Sequence, residues 1–269
     1  LVLLVRDEHS QESLLERGGL ARSEGGQILS SRCPVRIHDG DIQVSNNRSL
    51  ALLEGVTKLE GNLTVSRTIF SRFESLECLR EIDGWLFISD NSLLENIDSL
   101  HNLLFIGEDL RISDNRALEN IDGLSRLRSI GGSLVLERNA SLSSLEGIND
   151  LRRIGDELLI DKNDSLRSVN GLNVLRSVGG DFALSNNHSL TNLEGLRSLS
   201  SIGGTLEISS NVSLTSLNGL RGLWEIGWEL IIAYNDMLES LEGLNHLRVV
   251  RGSVSIFEIA TLDNLDGLE

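Results

Sequence analysis

The stretch Ser189–Asn211 reads SLTNLEGLRSLSSIGGTLEISSN. Its closing part alternates, with Leu206 and Ile208 set against Glu207 and Ser209, which is the period of a strand with one buried face. Its opening part returns an apolar residue every third position, at Leu190, Leu193, Leu196, Leu199 and Ile202. That spacing is too regular for an amphipathic helix with its mixed steps of three and four. It predicts tight turns, short extended pieces or 3₁₀ segments that face inward.

The same unit recurs along the chain. Leu86, Leu110, Leu134, Leu158, Phe182, Leu206, Leu230 and Val254 are spaced by 24 residues. Leu63 precedes Leu86 by 23 and Ile42 precedes Leu63 by 21. Counting each of these ten residues as position 0, aliphatics return at +2, +8, +11, +14, +17 and +20. Asparagine stands at +5 as Asn47, Asn91, Asn115, Asn139, Asn163, Asn187, Asn211 and Asn235. Glycine stands at +13 (Gly123, Gly147, Gly171, Gly195) and at +21 (Gly107, Gly131, Gly155, Gly179). One such unit cannot bury its own apolar face, so the units must stack, each strand pairing in parallel with the next. At ~4.8 Å per strand, ten rungs make a body roughly 48 Å long.

Composition agrees with this reading. The 269 residues hold three Trp, one Tyr and six Phe, a single proline and 26 glycines. Aliphatic side chains therefore do nearly all the filling, and the one residue type that lacks a ladder N–H is almost absent. The net charge of −16 argues against nucleic acid, whose binding rests on Lys and Arg releasing counterions. It also argues against docking on anionic lipid, and no apolar run reaches the ~20 residues of a membrane span. Direct membrane insertion by this segment is not expected.

Segments such as LRISDN (Leu110–Asn115), LVLERN (Leu134–Asn139) and LEISSN (Leu206–Asn211) resemble the leucine-rich repeat core L-x-L-x-x-N. The full unit over Ser189–Asn211 resembles the receptor L-domain variety, and the stretch from Glu60 resembles the opening of such a domain. The likeness covers about Gly40 to the C-terminus. It implies an all-β, mainly parallel fold: a right-handed β-solenoid of about ten 24-residue leucine-rich rungs. It also implies a non-catalytic recognition module, extracellular or at a cell surface, binding a protein or carbohydrate ligand. The domain division is 1–39 as an irregular N-terminal cap or leader remnant and 40–269 as the solenoid. Two other roles compete: a cell-wall or matrix spacer and, less well supported because the outward columns mix serine with charge, an ice-binding solenoid.

The asparagine column is expected to point inward and satisfy main-chain groups of neighbouring turns. Asn47, Asn139, Asn163, Asn187 and Asn211 each also spell N-x-Ser, the acceptor pattern for N-glycosylation. A buried asparagine cannot carry a glycan, so Asn62 (Asn-Leu-Thr), off the ladder, is the expected acceptor. The doubled glycines lack the context of a phosphate loop, and corners needing positive φ are the expected reason for glycine at each rung. Glu54, Asp98, Asp122, Glu146, Glu194, Glu242 and Asp266 form an acidic column at +12, and Arg128, Arg152, Arg176 and Arg248 form a basic one at +18. These read first as solvated arcs; a ligand or cation role is the alternative.

Aromatics gather near the C-terminus: Trp224, Trp228 and Tyr234, with Ile231 between them and Phe257 one rung on. They are candidate ligand anchors, and the competing reading is a cover for the end of the solenoid. Cys33 and Cys78 would sit two rungs apart in regular stacking, about 10 Å, too far for a bond that needs ~7 Å or less. A disulfide therefore requires the N-terminal rung to depart from the pattern, and the extracellular reading favours one. The five histidines share no column, and no nucleophile, metal-ligand or cofactor motif occurs; neither enzymatic activity, nor a metal, nor a cofactor is expected. Leu1–Val5 is shorter than a signal h-region, residues 10–22 could form a marginal helix, and the repeat still runs at Glu269, so the chain is expected to continue.

Overall fold

The computed structural model describes residues 33–268, and the expectations for the apolar start and the 10–22 helix fall outside them. The described chain is a parallel β-solenoid of two ten-stranded sheets. The longer strands begin at position 0, from Ile42–Val44 and Leu63–Ser66 through Leu134–Glu137 and Leu158–Asp161 to Val254–Phe257. Each pairs in parallel with the next in register: Leu134 faces Leu110 on one side and Leu158 on the other. The 24-residue repeat is thus one translation along the stack.

The second sheet is built from strands mostly of two residues at +19 and +20, such as Phe105–Ile106, Arg153–Ile154 and Ser201–Ile202. It starts with Ile37–Asp39, which pairs with Lys58–Glu60. The solenoid therefore begins three residues before the expected boundary at Gly40. Between the sheets, five rungs make a 3₁₀ turn at +12 to +14: Asp98–Leu100, Asp122–Leu124, Glu146–Ile148, Glu194–Leu196 and Asn218–Leu220. The three-residue apolar spacing follows from this route, because turn, bend and two-residue strand each send one side chain inward.

The core is the set of inward columns. In the rung from Leu158, the residues Leu158, Ile160, Leu166, Val169, Leu172 and Leu175 have no exposed surface and Val178 has 1%. Each such side chain contributes about 1.5–3 kcal/mol over its exposed state. At the last rung this breaks down: Val254 is 49% exposed and Leu265 61%.

The +21 glycines have a different cause from the expected one, whereas at +13 the expected positive φ is found at Gly55, Gly171, Gly243 and Gly267. None of the +21 glycines has positive φ. A Cβ on Gly131 would lie 1.9 Å from the Gly107 carbonyl oxygen, and one on Gly203 would lie 2.0 Å from that of Gly179. Close approach of successive backbones, not a left-handed corner, excludes a side chain there. The left-handed residues other than glycine stand at +4: Arg67, Asp90, Asp114, Arg138, Lys162, Asn186, Ser210, Tyr234 and Glu258, all with φ between 53° and 59°.

The N-terminal rung departs from the repeat. After Ile42–Val44 the chain enters a four-residue α-helix, Asn47–Leu50, capped by the Asn46 side chain, then a 3₁₀ turn over Ala51–Leu53. Cys33 precedes the first strand and so is not held to the rung spacing. It is bonded to Cys78, with Cα atoms 5.4 Å apart. Closing a 45-residue separation restricts the unfolded chain by about 4 kcal/mol in the loop-entropy description.

Candidate functional site

Seven asparagines form a continuous buried ladder. Asn91, Asn115, Asn139, Asn163, Asn187, Asn211 and Asn235 have no exposed surface. The backbone N–H of each of the first six donates to the side-chain oxygen of the next, as from Asn139 to Asn163 at 3.1 Å. Each side-chain amide donates to a carbonyl of the preceding rung, as from Asn163 to Leu136 at 2.9 Å. Main-chain groups that would be orphaned in a dry corner are thereby satisfied.

Asn47 is not part of this ladder. It is exposed in the short helix, because that helix replaces the corner where the asparagine would turn inward. In the following rung Thr68 takes the ladder position, its N–H and hydroxyl donating to Asn91 Oδ1 at 3.0 and 2.7 Å. The acceptor patterns at Asn139, Asn163, Asn187 and Asn211 are buried, while the one at Asn47 is open. Asn62 is half-buried, and its Oδ1 accepts from the Trp85 N–H at 3.0 Å.

A second column escaped the sequence reading. At +10 the residues are Asn96, Asn120, Ser144, Ser168, Asn192, Ser216, Ser240 and Asn264, and each side-chain oxygen accepts from the backbone N–H at +12. The signal was present as an alternation of two residue types that share this bond. The acidic +12 residues open these turns with their side chains outward. Among the described residues, no three carboxylate, His or Cys side chains gather in a way that could hold a metal.

The outer face of the long sheet carries a polar network at its centre. Arg111 donates to Glu137 at 3.0 Å, and Arg138 bridges Asp114 at 2.8 Å and Glu137. Burial pushes the Asp161 carboxyl up, but hydrogen bonds from Asn186, Ser185 and Lys162 outweigh it and hold it below its ordinary value. Glu157 is raised, first by burial and then by the charges of Asp181, Asp156 and Asp109. Of the +1 residues, Phe87, Leu159 and Ile231 are half-buried and Val135 is buried; Phe87 stacks on Trp85 with ring centres 5.3 Å apart.

The C-terminal aromatics are only partly brought together. Tyr234 and Phe257 meet edge to face, 5.6 Å between centres, at the end of the long strands. Tyr234 is one of the left-handed +4 residues, so its ring leaves the corner outward and is 51% exposed. Trp228 (60% exposed) lies at the corner before Leu230–Ala233, and Trp224 (47%) precedes the short strand Glu225–Ile226. Trp224 thus belongs to the side of the second sheet. No protein-family model matches the chain, and no curated protein matches its sequence. The geometry defines a parallel β-solenoid whose outward columns are free to vary.

Proposed function

We propose that the chain is a non-catalytic recognition module of the receptor L-domain type, secreted or displayed at a cell surface, which binds a protein or glycan on its preformed surface. One observation carries this reading. Among the large apolar side chains exposed outside the core columns, five lie from Trp224 onward: Trp224, Trp228, Tyr234, Met237 and Phe257. Exposed apolar patches mark interaction sites, and Trp and Tyr anchor them at low entropic cost. The Cys33–Cys78 disulfide supports an oxidising compartment.

The test is a binding screen of the whole chain against glycan arrays and purified surface proteins, repeated with Tyr234→Ala/Phe257→Ala and with Trp228→Ala. These side chains are exposed, so the fold should survive, as far-UV circular dichroism will show. Loss of a specific ligand in either variant supports the reading. Undiminished capture by both removes the aromatic end as the site.

A further inference from the structure

The +18 column holds more than arginines. It runs Arg128, Arg152, Arg176, Ser200, Trp224 and Arg248, joined rung to rung because each N–H donates to the preceding carbonyl at 2.9 to 3.2 Å. Arg128, Arg152, Arg176 and, beside them at +19, Arg153 are all exposed. Among the described residues none of the four forms an ion pair, and, unlike other arginines without one such as Arg48 and Arg116, they stand together on successive rungs. In a chain of net charge −16, acids to neutralise these groups are abundant, yet like charges stack here at the rung spacing of ~5 Å.

Alongside the column lies a shallow groove of about 380 Å³ across the second sheet, with Ser177, Gly179, Ser201 and Gly203 among its lining. The two features are contiguous, since Arg153 is the register partner of Ser177, and Ser177 of Ser201. The groove therefore runs along the solenoid axis from the arginines towards the rung of Trp224. Its far end is closed by the Glu225–Arg251 ion pair.

We infer that this strip binds a linear anionic polysaccharide lying along the solenoid axis, its sulfate or carboxylate groups on Arg128, Arg152 and Arg176 and a sugar ring on Trp224. The width of the strip selects a thread over a surface. On one side stand the +12 acids, Asp122, Glu146 and Glu194; on the other stand Asp156, Glu157 and Asp181. A bilayer or a nucleic-acid duplex broad enough to reach past the arginines would meet these carboxylates. A single polymer chain meets guanidinium groups, serine hydroxyls and an indole face, which suits the apolar face of a sugar. This inference rests on the recognition reading but places the ligand away from Tyr234 and Phe257.

The experiment measures binding of the whole chain to dextran sulfate, polygalacturonate and neutral dextran, and to vesicles containing phosphatidylserine, over a salt series. Wild type should bind at least one of the two acidic polymers and not neutral dextran. With three charge contacts, raising salt from ~50 to ~200 mM should weaken binding roughly twentyfold, following the single-strand counterion slope. Arg128→Ser/Arg152→Ser/Arg176→Ser should abolish most of this binding and flatten the salt dependence. Arg48→Ser/Arg67→Ser/Arg116→Ser, which changes net charge equally on other parts of the surface, should leave binding intact. Trp224→Ala should weaken it several-fold with the salt slope unchanged. Equal loss in both arginine triples, equal binding of neutral dextran, or vesicle binding that matches the polymers and depends on the same three arginines overturns the inference. Tyr234→Ala/Phe257→Ala separates the two proposals: polymer binding lost there and kept in the arginine triple sinks this one and leaves the recognition reading standing.

Discussion

Asn163→Leu tests whether the asparagine ladder holds the solenoid together. Leucine has the same four-heavy-atom, Cγ-branched side chain as asparagine but is apolar, so the change removes hydrogen bonds without opening a cavity. The Asn163 side chain accepts from the Asn139 N–H at 3.1 Å and donates to the Leu136 carbonyl at 2.9 Å. Both of those main-chain groups would lose these bonds beside residues with no exposed surface. A buried donor or acceptor left without a partner costs about 1–3 kcal/mol, so the expected loss is about 4 kcal/mol. For a chain of this size that lowers Tm by roughly 8–16 °C. The loss should be local as well as global, because stability in stacked repeats is carried by nearest-neighbour interfaces. Urea denaturation followed by circular dichroism gives the total, and hydrogen exchange should show weakened amides in the rungs around Asn139 and Asn163 first. A loss under ~1 kcal/mol, below the cost of even one buried group left without a partner, would refute the reasoning.

Two other perturbations check the backbone and electrostatic arguments. Gly203→Ala should destabilise by about 1–3 kcal/mol, the usual cost of overpacking, because its Cβ would meet the Gly179 carbonyl. Ser210→Gly, at a left-handed residue with φ 56°, should instead stabilise by roughly 0.5–1 kcal/mol after glycine's entropy is subtracted; thermal melts that reverse these signs would contradict the assignment. Glu157, whose carboxyl is raised in the folded chain, binds its proton more tightly folded than unfolded, so its ionisation lowers stability as pH rises from the ordinary carboxylate range through the raised folded value. Glu157→Gln should therefore raise Tm at neutral pH and lose that advantage in acid below the ordinary carboxylate range; a constant difference at all pH values would exclude this cause.

The fold was legible because its dominant contacts join residues 24 apart, and a translation of that kind prints itself in the sequence. Leu134, Leu158 and Phe182 stack directly, and so do Asn139, Asn163 and Asn187. What the sequence hid falls into two kinds. Two-residue strands such as Arg153–Ile154 are too short to show an alternation, so the second sheet had no period of its own. The +21 glycines were misassigned for a spatial reason: Gly131 is required by the Gly107 carbonyl of another rung, while Lys162 and Tyr234 hold left-handed backbone without a residue type that advertises it. Counting failed at Asn47 because the rung from Ile42 is three residues short and spends its corner on a helix. The aromatics that gather in sequence do not form one cluster in space, since neighbours such as Trp224 and Tyr234 belong to different sides of a rung.

The same columns limit where specificity can reside. Positions 0, +2, +5, +8, +11, +14, +17 and +20 are committed to the core or the ladder, +10 to capping the turn, and +13 and +21 to close backbone approach. A substitution at any of them changes stability before it changes recognition. Positions +1, +3, +4, +6, +7, +15, +16, +18, +19, +22 and +23 vary in charge and size from rung to rung without disturbing the stack. Among these, a ligand that reads one rung needs an irregular anchor, and the Tyr234–Phe257 pair at the end of the long sheet provides one. A ligand that reads several rungs needs repetition at the rung spacing, and the column from Arg128 to Arg176 provides that. The two proposals thus follow from the two ways in which a solenoid surface can carry information: where the repeat breaks, and where it holds with an unneutralised charge.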